Sequence, residues 1–317
     1  MAFSNGGASA STVTLEGPHT ANGRGAIAEF SLFAGAGTST LLAQGGALIF
    51  TYASDGQMAR AVLTTRGSLD ISGLRSETAG MGIGSIEGDR TGVVSLGNKK
   101  LTVGGNNLSA TFAGLIQDGG LSGGSGGSIA KVGTRTLTLT AANLYTGGTT
   151  VTSGDLVLSN RTGSGTGTGP VQVDGGRIGG AGAIAGALTI GSASGSAATL
   201  IPALGTKKQV TLVIGSAITL NAGATYSCSV STALSAADAV DANGVTIGPS
   251  AQFKLHSQGA DTLPAGTVFT AINNTAARPI AGNFSGLAEG ATIAAGSNTY
   301  VVSYIGGDGN DFTLTVL

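Results

Sequence analysis

The sequence predicts an all-β protein whose short strands stack as the coils of a parallel β-solenoid. Three observations lead there. Glycine supplies 57 of 317 residues, against a usual share of roughly 7%. Apolar residues alternate with polar ones at period two and are closed off by Gly-Gly, Gly-Asn or Asp-Gly turns, the signature of strand and turn. The alternating segments recur about every 20 residues, so each coil buries its apolar face only by stacking on its neighbours. Val, Leu, Ile and Ala fill a narrow interior, while Gly, Ser, Thr and Asn make the frequent corners.

Along the chain, Phe30, Phe50 and Leu69 mark strand centres in the N-terminal third. Short strands then crowd closer, through Val93-Val94, Leu101-Thr-Val103, Phe112 to Ile116, Leu137-Thr-Leu139 and Leu156-Val-Leu158. Two glycine-rich segments, Gly119 to Ser128 and Arg161 to Pro170, have the composition of flexible tethers between domains, but strand patterns resume at once on both sides, which favours corners protruding from a continuous stack. The one segment with helix-forming character, Ser231 to Asp238, is short enough to be a single turn on a loop. From about Lys207 strands lengthen and aromatics become commoner, including Tyr226, Phe253, Phe269, Phe284, Tyr300, Tyr304 and Phe312. The expected layout is therefore repeat coils over residues 1–205 and, over 206–317, a broader β region that closes the stack. Thr and Asn at matching positions of successive coils are expected to form polar ladders.

Composition narrows the functional classes. Charged residues make up 10% of the chain, and 15 basic residues face 16 acidic ones for a net charge of −1. No strongly basic face is expected, which argues against nucleic acid as a partner. No apolar run approaches the ~18 residues of a spanning helix. The start, Met1-Ala-Phe-Ser-Asn-Gly, has neither a charged n-region nor an apolar h-region, so no signal peptide is expected within this chain. The lone cysteine, Cys228, alternates with Tyr226 and Val230 and reads as a small buried hydrophobe.

The stretch Leu96-Gly-Asn-Lys-Lys-Leu-Thr-Val103-Gly-Gly-Asn-Asn-Leu108-Ser-Ala-Thr-Phe112-Ala-Gly114 resembles the passenger domains of autotransporters. Lys131 to Leu139, continuing through Asn143-Leu-Tyr145-Thr-Gly-Gly-Thr-Thr-Val151 to Gly154-Asp-Leu156, is similar to the autotransporter-associated β-strand repeat. The likeness extends to Gly67-Ser-Leu69-Asp-Ile-Ser, Ile83 to Asp89, Val171 to Gly182 and the ending from Tyr304 to Leu314. It covers most of the chain from about residue 60. The resemblance implies a right-handed parallel β-helix outside a Gram-negative-type cell. The membrane barrel that ends such proteins has no counterpart here, which would leave a passenger alone or a relative anchored by other means.

Candidate sites are sparse. The histidines are His19 and His256, neither within a recognisable catalytic signature. Carboxylate pairs such as those of glycoside-cleaving β-helices occur only as Glu87 with Asp89, next to Arg90, and as Asp238 with Asp241. No catalytic residue is expected. Gly306-Gly-Asp308-Gly-Asn310-Asp311 matches the front of a calcium-binding nonapeptide, so Asp308, Asn310 and Asp311 are the one candidate set for Ca²⁺. Tandem copies are missing, and a tight turn before the last strand is the simpler reading. No cofactor is otherwise expected. The sequence thus points to a non-enzymatic, extracellular structural or adhesive protein, a rigid solenoid projecting from a cell or assembling into fibres. Expected partners are further copies of the chain, end to end, and surface glycans. A carbohydrate-active β-helix and the passive stalk of a larger exported protein are the rival readings.

Overall fold

A computed structural model describes residues 2–4, 12–16, 26–31, 36–52, 55–56, 58–192 and 197–317. His19 lies outside them. The described residues are all β, with no helix among them and mostly parallel pairing. Two compact units form, residues 1–170 and residues 171–317.

In the first unit the chain visits three parallel sheets in rotation. The first sheet holds Ala2–Ser4, Ile27–Ser31, Ala47–Tyr52, Ser68–Leu74, Val93–Ser95 and Leu115–Gln117. The second holds Thr12–Glu16, Thr40–Gln44, Arg60–Thr64, Ser85–Gly88, Ala110–Phe112, Thr136–Leu139 and Asp155–Leu158. The third begins later, with Gly80–Ile83, Lys100–Val103, Ser128–Lys131 and Thr149–Val151. A one-residue slip would turn every inward side chain out, so the alternation fixes the register. Ala28, Leu48, Leu69, Val94 and Ile116 stack in one buried row of the first sheet. Ala110, Leu137 and Leu156 stack in the second. Each large aliphatic in such a row contributes about 1.5–3 kcal/mol through burial.

The spacing read from the sequence holds locally. Thr40 pairs with Arg60, and Gly80 with Lys100, each 20 residues on. Lys100, however, pairs with Ser128, because that coil carries the additional loop after Gln117. Phe30 and Phe50 do stack, with ring centroids 4.6 Å apart and planes 5° from parallel. Leu69 does not continue their row. It pairs with Leu48, two residues ahead of Phe50, because that step takes 21 residues, and a bulge between Ile49 and Thr51 shifts the register only beyond that pair.

Both glycine-rich segments are ordered. In the first, Asp118 accepts the Gly126 and Gly127 amides and the Thr146 hydroxyl, while Asp70 accepts the Leu121 amide at 2.7 Å. In the second, Ser164 and Thr166 are buried, and the Ser164 carbonyl accepts the Asn143 amide. At one corner, Gly104 and Gly133 lie one above the other with φ of 120° and 71°. A Cβ on Gly133 would collide with the Gly104 carbonyl, so both conformation and space demand glycine.

The second unit begins in the same manner. Val171–Val173, Leu188–Ile190, Ile218–Leu220 and Val245–Ile247 form one parallel set. Thr189, Thr219 and Thr246 make the expected threonine ladder on it. Gly176–Gly179, Ala198–Ile201, Ala224–Ser231 and Gln252–Gln258 form another parallel set. Ala183–Ile184, Thr211–Ile214, Ala239–Ala242 and Val268–Asn274 form the third. Ser231–Asp238, with its helix-forming composition, makes a turn, after which Ala236–Ala237 pairs back on Ala224–Ser231.

Strands lengthen toward the end, and the pairing changes. Asp311–Val316, Asn298–Gly306 and Thr292–Ala295 add to the third set in antiparallel order. The segment before them runs parallel beside Val245–Ile247: Ala281 forms a parallel bridge with Thr246 by bonding Val245 and Ile247, and the Ser285 amide reaches the Ala251 carbonyl at 2.7 Å. Phe284 sits beneath this cover, within 6.3 Å of the rings of Tyr226, Phe253, Tyr304 and Phe312.

Candidate functional site

Among the described residues, each charged residue flagged by the sequence has a structural partner or an exposed position. Glu87 lies within Ser85–Gly88 and receives Arg60 from the preceding coil, Nε at 2.7 Å and Nη2 at 2.6 Å. This fork holds the Arg60 guanidinium above its ordinary pKa, chiefly through the Glu87 hydrogen bond. The strand ends at Gly88, so Asp89 enters the corner instead. There its carboxylate accepts the Thr91 hydroxyl and amide, at 2.5 and 2.7 Å, and the Thr65 amide at 3.1 Å. The Thr91 hydroxyl is the main cause of its lowered pKa. Glu87 and Asp89 therefore serve two separate contacts.

Asp238 and Asp241 are separated by the pleat. Asp238 is fully buried and accepts the Ser229 amide at 3.1 Å. Burial raises its pKa. Asp241, three residues on, faces the other way and accepts Asn273 Nδ2 at 3.0 Å. His256 is exposed on Gln252–Gln258 and pairs in register with Ser229. Cys228 is buried, its thiol 3.2 Å from the Asp238 carbonyl, and burial pushes its pKa up.

The calcium candidates occupy a hairpin turn. Asn298–Gly306 and Asp311–Val316 are antiparallel, with Gly306 opposite Asp311. The nonapeptide geometry stacks successive parallel turns, whereas here one chain reverses on itself. Asp308 is exposed; Asn310 gives its Nδ2 to the Ala276 carbonyl, and Asp311 accepts the Asn274 amide at 2.8 Å. Burial raises the Asp311 pKa, with Asp308 and Asp241 adding repulsion. Asn310 Oδ1 is buried without a partner. Among the described residues no group of three or more His, Cys, Asp or Glu could hold a metal ion.

Sequence reasoning missed three features. Lys131 and Lys99 are buried, and their ammonium groups are held by backbone carbonyls. The signal for Lys131 was available, since it falls in phase with Ile129 on an alternating strand. Asn143 is buried where the first sheet lacks its next strand. Its Oδ1 accepts the Ile116 amide at 2.8 Å, and its Nδ2 reaches the Gly165 carbonyl at 2.7 Å. The third is a corner groove of about 630 Å³ in the first unit, with Arg90 and Arg161 in its walls.

No protein-family model matches the chain, and no curated protein matches its sequence. Among the described residues no helix is long and apolar enough to cross a membrane.

Proposed function

We propose that this chain is a non-enzymatic structural or adhesive protein of the cell exterior, folded as a right-handed parallel β-solenoid with a covered C-terminal end. One observation carries the reading: the carboxylates that could have formed a catalytic pair are committed to separate structural contacts. Glu87 holds Arg60, Asp89 organises a corner, Asp238 accepts backbone amides and Asp241 holds Asn273. The rotation of the chain through stacked parallel sheets supports the solenoid, and parallel crossovers are right-handed in nearly all cases. The resemblance of residues 96–156 to autotransporter passengers and their repeats supports export. The low charge and the threonine ladder suit a surface that stacks copies of itself, so assembly into fibres belongs to the same proposal.

Two measurements on one preparation test it. Antibody against residues 80–160 is expected to label intact producing cells, and purified chain is expected to leave acidic and neutral polysaccharides uncleaved. Labelling only after lysis would contradict the exterior location. Polysaccharide cleavage that disappears in Glu87→Gln or Asp89→Asn would contradict the structural role of those carboxylates.

A further inference from the structure

We propose that the corner groove between Arg90 and Arg161 binds an acidic polysaccharide, a carboxylated or sulfated sugar chain. This deepens the surface reading and rests on it only for where such a chain is met.

The groove is built by stacking. Strands of the second sheet end at Gly88, Phe112, Leu139 and Leu158, which are in register. The register continues into the corner: Ala113 N bonds Gly88 O at 3.0 Å, Thr140 N bonds Phe112 O at 3.2 Å, and Ser159 N bonds Leu139 O at 3.0 Å. Four successive corners therefore form a column, with Arg90 on the first and Arg161 on the last. Three steps of ~4.8 Å put those corners about 14 Å apart. Between them Ala113, Ala141 and Ala142 leave a low floor, and Thr140, Ser159 and Thr162 border it with hydroxyls.

The charge pattern selects the ligand. Arg90 and Arg161 are exposed, and neither donates to a protein group among the described residues. The remaining groove residues carry no carboxylate. Asp89, the nearest acidic neighbour in sequence, is engaged by Thr91 and Thr65. A guanidinium prefers a planar carboxylate or a sulfate that it can meet with two N–H groups. The corners that carry the two guanidiniums lie about 14 Å apart, so a ligand with anions repeated along a chain can meet both while its body lies along the groove between them. Hydroxyls on the border fit the hydroxyl-rich body of a sugar. No aromatic side chain lines the groove, and stacking on aromatics is what single-stranded nucleic acid would require.

The test uses the full chain in solution, so it is independent of where the protein resides. Calorimetric titration with an oligogalacturonate and with a heparin fragment is expected to show binding of at least one at 50 mM NaCl. Affinity should fall about tenfold or more by 300 mM, as exposed charges are screened. Arg90→Ala and Arg161→Ala are each expected to weaken binding about fivefold, and the double variant about 25-fold. Arg278→Ala, an exposed arginine of the second unit, should leave it unchanged. Neither groove arginine holds the fold, so circular dichroism of the double variant should match the parent. Failure of both glycans to bind, undiminished binding by the double variant, or equal binding of a neutral maltooligosaccharide or a thymidine oligonucleotide would overturn the proposal. If the glycan result holds but intact cells are not labelled, the surface reading fails while the groove stands.

Discussion

Lys131 occupies a position that its stacked neighbours fill with valine, Val103 in the preceding coil and Val151 in the next. Its ammonium reaches the carbonyls of Val132, Gly133 and Ser153 at 2.6, 3.1 and 3.2 Å. Burial lowers its pKa to about 8, with the Asp155 charge opposing. An unfolded lysine titrates near 10.4, so between pH 8 and 10.5 the unfolded chain binds more protons than the folded one. Stability attributable to Lys131 therefore rises with pH across that window. Cys228 acts in the opposite sense. Its folded pKa is raised, so the stability it contributes is lost once the unfolded thiol ionises above about pH 9. In a Cys228→Ala background, the stability difference between the Lys131 protein and Lys131→Met is expected to shift by about 2 kcal/mol in favour of lysine from pH 7.5 to 10.5. This lies below the full effect of the shift, because three carbonyls favour the ammonium. Urea titration at both pH values checks it, and a pH-independent difference would contradict the buried-charge account. The position was legible as inward from its alternation with Ile129. The carbonyl cage was not, since it depends on a corner 22 residues downstream.

Among the elements, the alternation of Leu137 with Leu139 and of Tyr226, Cys228 and Val230 is legible because period two has one structural meaning in a strand. Register is less legible. The row Phe30, Phe50, Leu69 looks regular in sequence, yet Leu69 pairs with Leu48, two residues ahead of Phe50, and a bulge between Ile49 and Thr51 then shifts the register again. Bulges are set by local backbone geometry that alternation does not encode. The glycine-rich loop after Asp118 has the composition of a tether, and only the distant Asp70 and Thr146 reveal that it is fastened. Asn143 is the clearest substitute for a missing element. After Leu115–Gln117 the first sheet gains no further strand from the first unit, and the Asn143 amide supplies an acceptor that the missing strand would have provided. Asn143→Ala leaves the buried Ile116 amide and Gly165 carbonyl without it, at about 1–3 kcal/mol each. Hydrogen exchange at Ile116 is expected to quicken about 30-fold or more, and Asn143→Asp, which keeps the acceptor, should fall between. An unchanged Ile116 rate in Asn143→Ala would mean that another group holds that amide.

For the molecule as a whole, stacking decides where the side chains go. Inward positions fill the rows, corners are set by glycine and by Asp89 or Asp118, and the last parallel strands are covered by residues 281–285. The arginine groove escaped sequence reasoning because Arg90 and Arg161 are 71 positions apart in the chain and meet on one column only through the stack. The central claim is that successive coils lie parallel and in register, and a paired-cysteine experiment tests it most directly. In the Cys228→Ala background, Thr102 and Ala130 are register partners on adjacent strands of the third sheet, and both are half-buried on its outer face. Neighbouring parallel strands lie within the Cα range that a disulfide spans. Under mild oxidation Thr102→Cys with Ala130→Cys is expected to close an internal disulfide and run faster on a non-reducing gel. Thr102→Cys with Thr138→Cys, whose partner lies on another sheet, should stay reduced. A first pair that remains reduced, or a second that oxidises as readily, would contradict the stacked architecture from which the rest of the account follows.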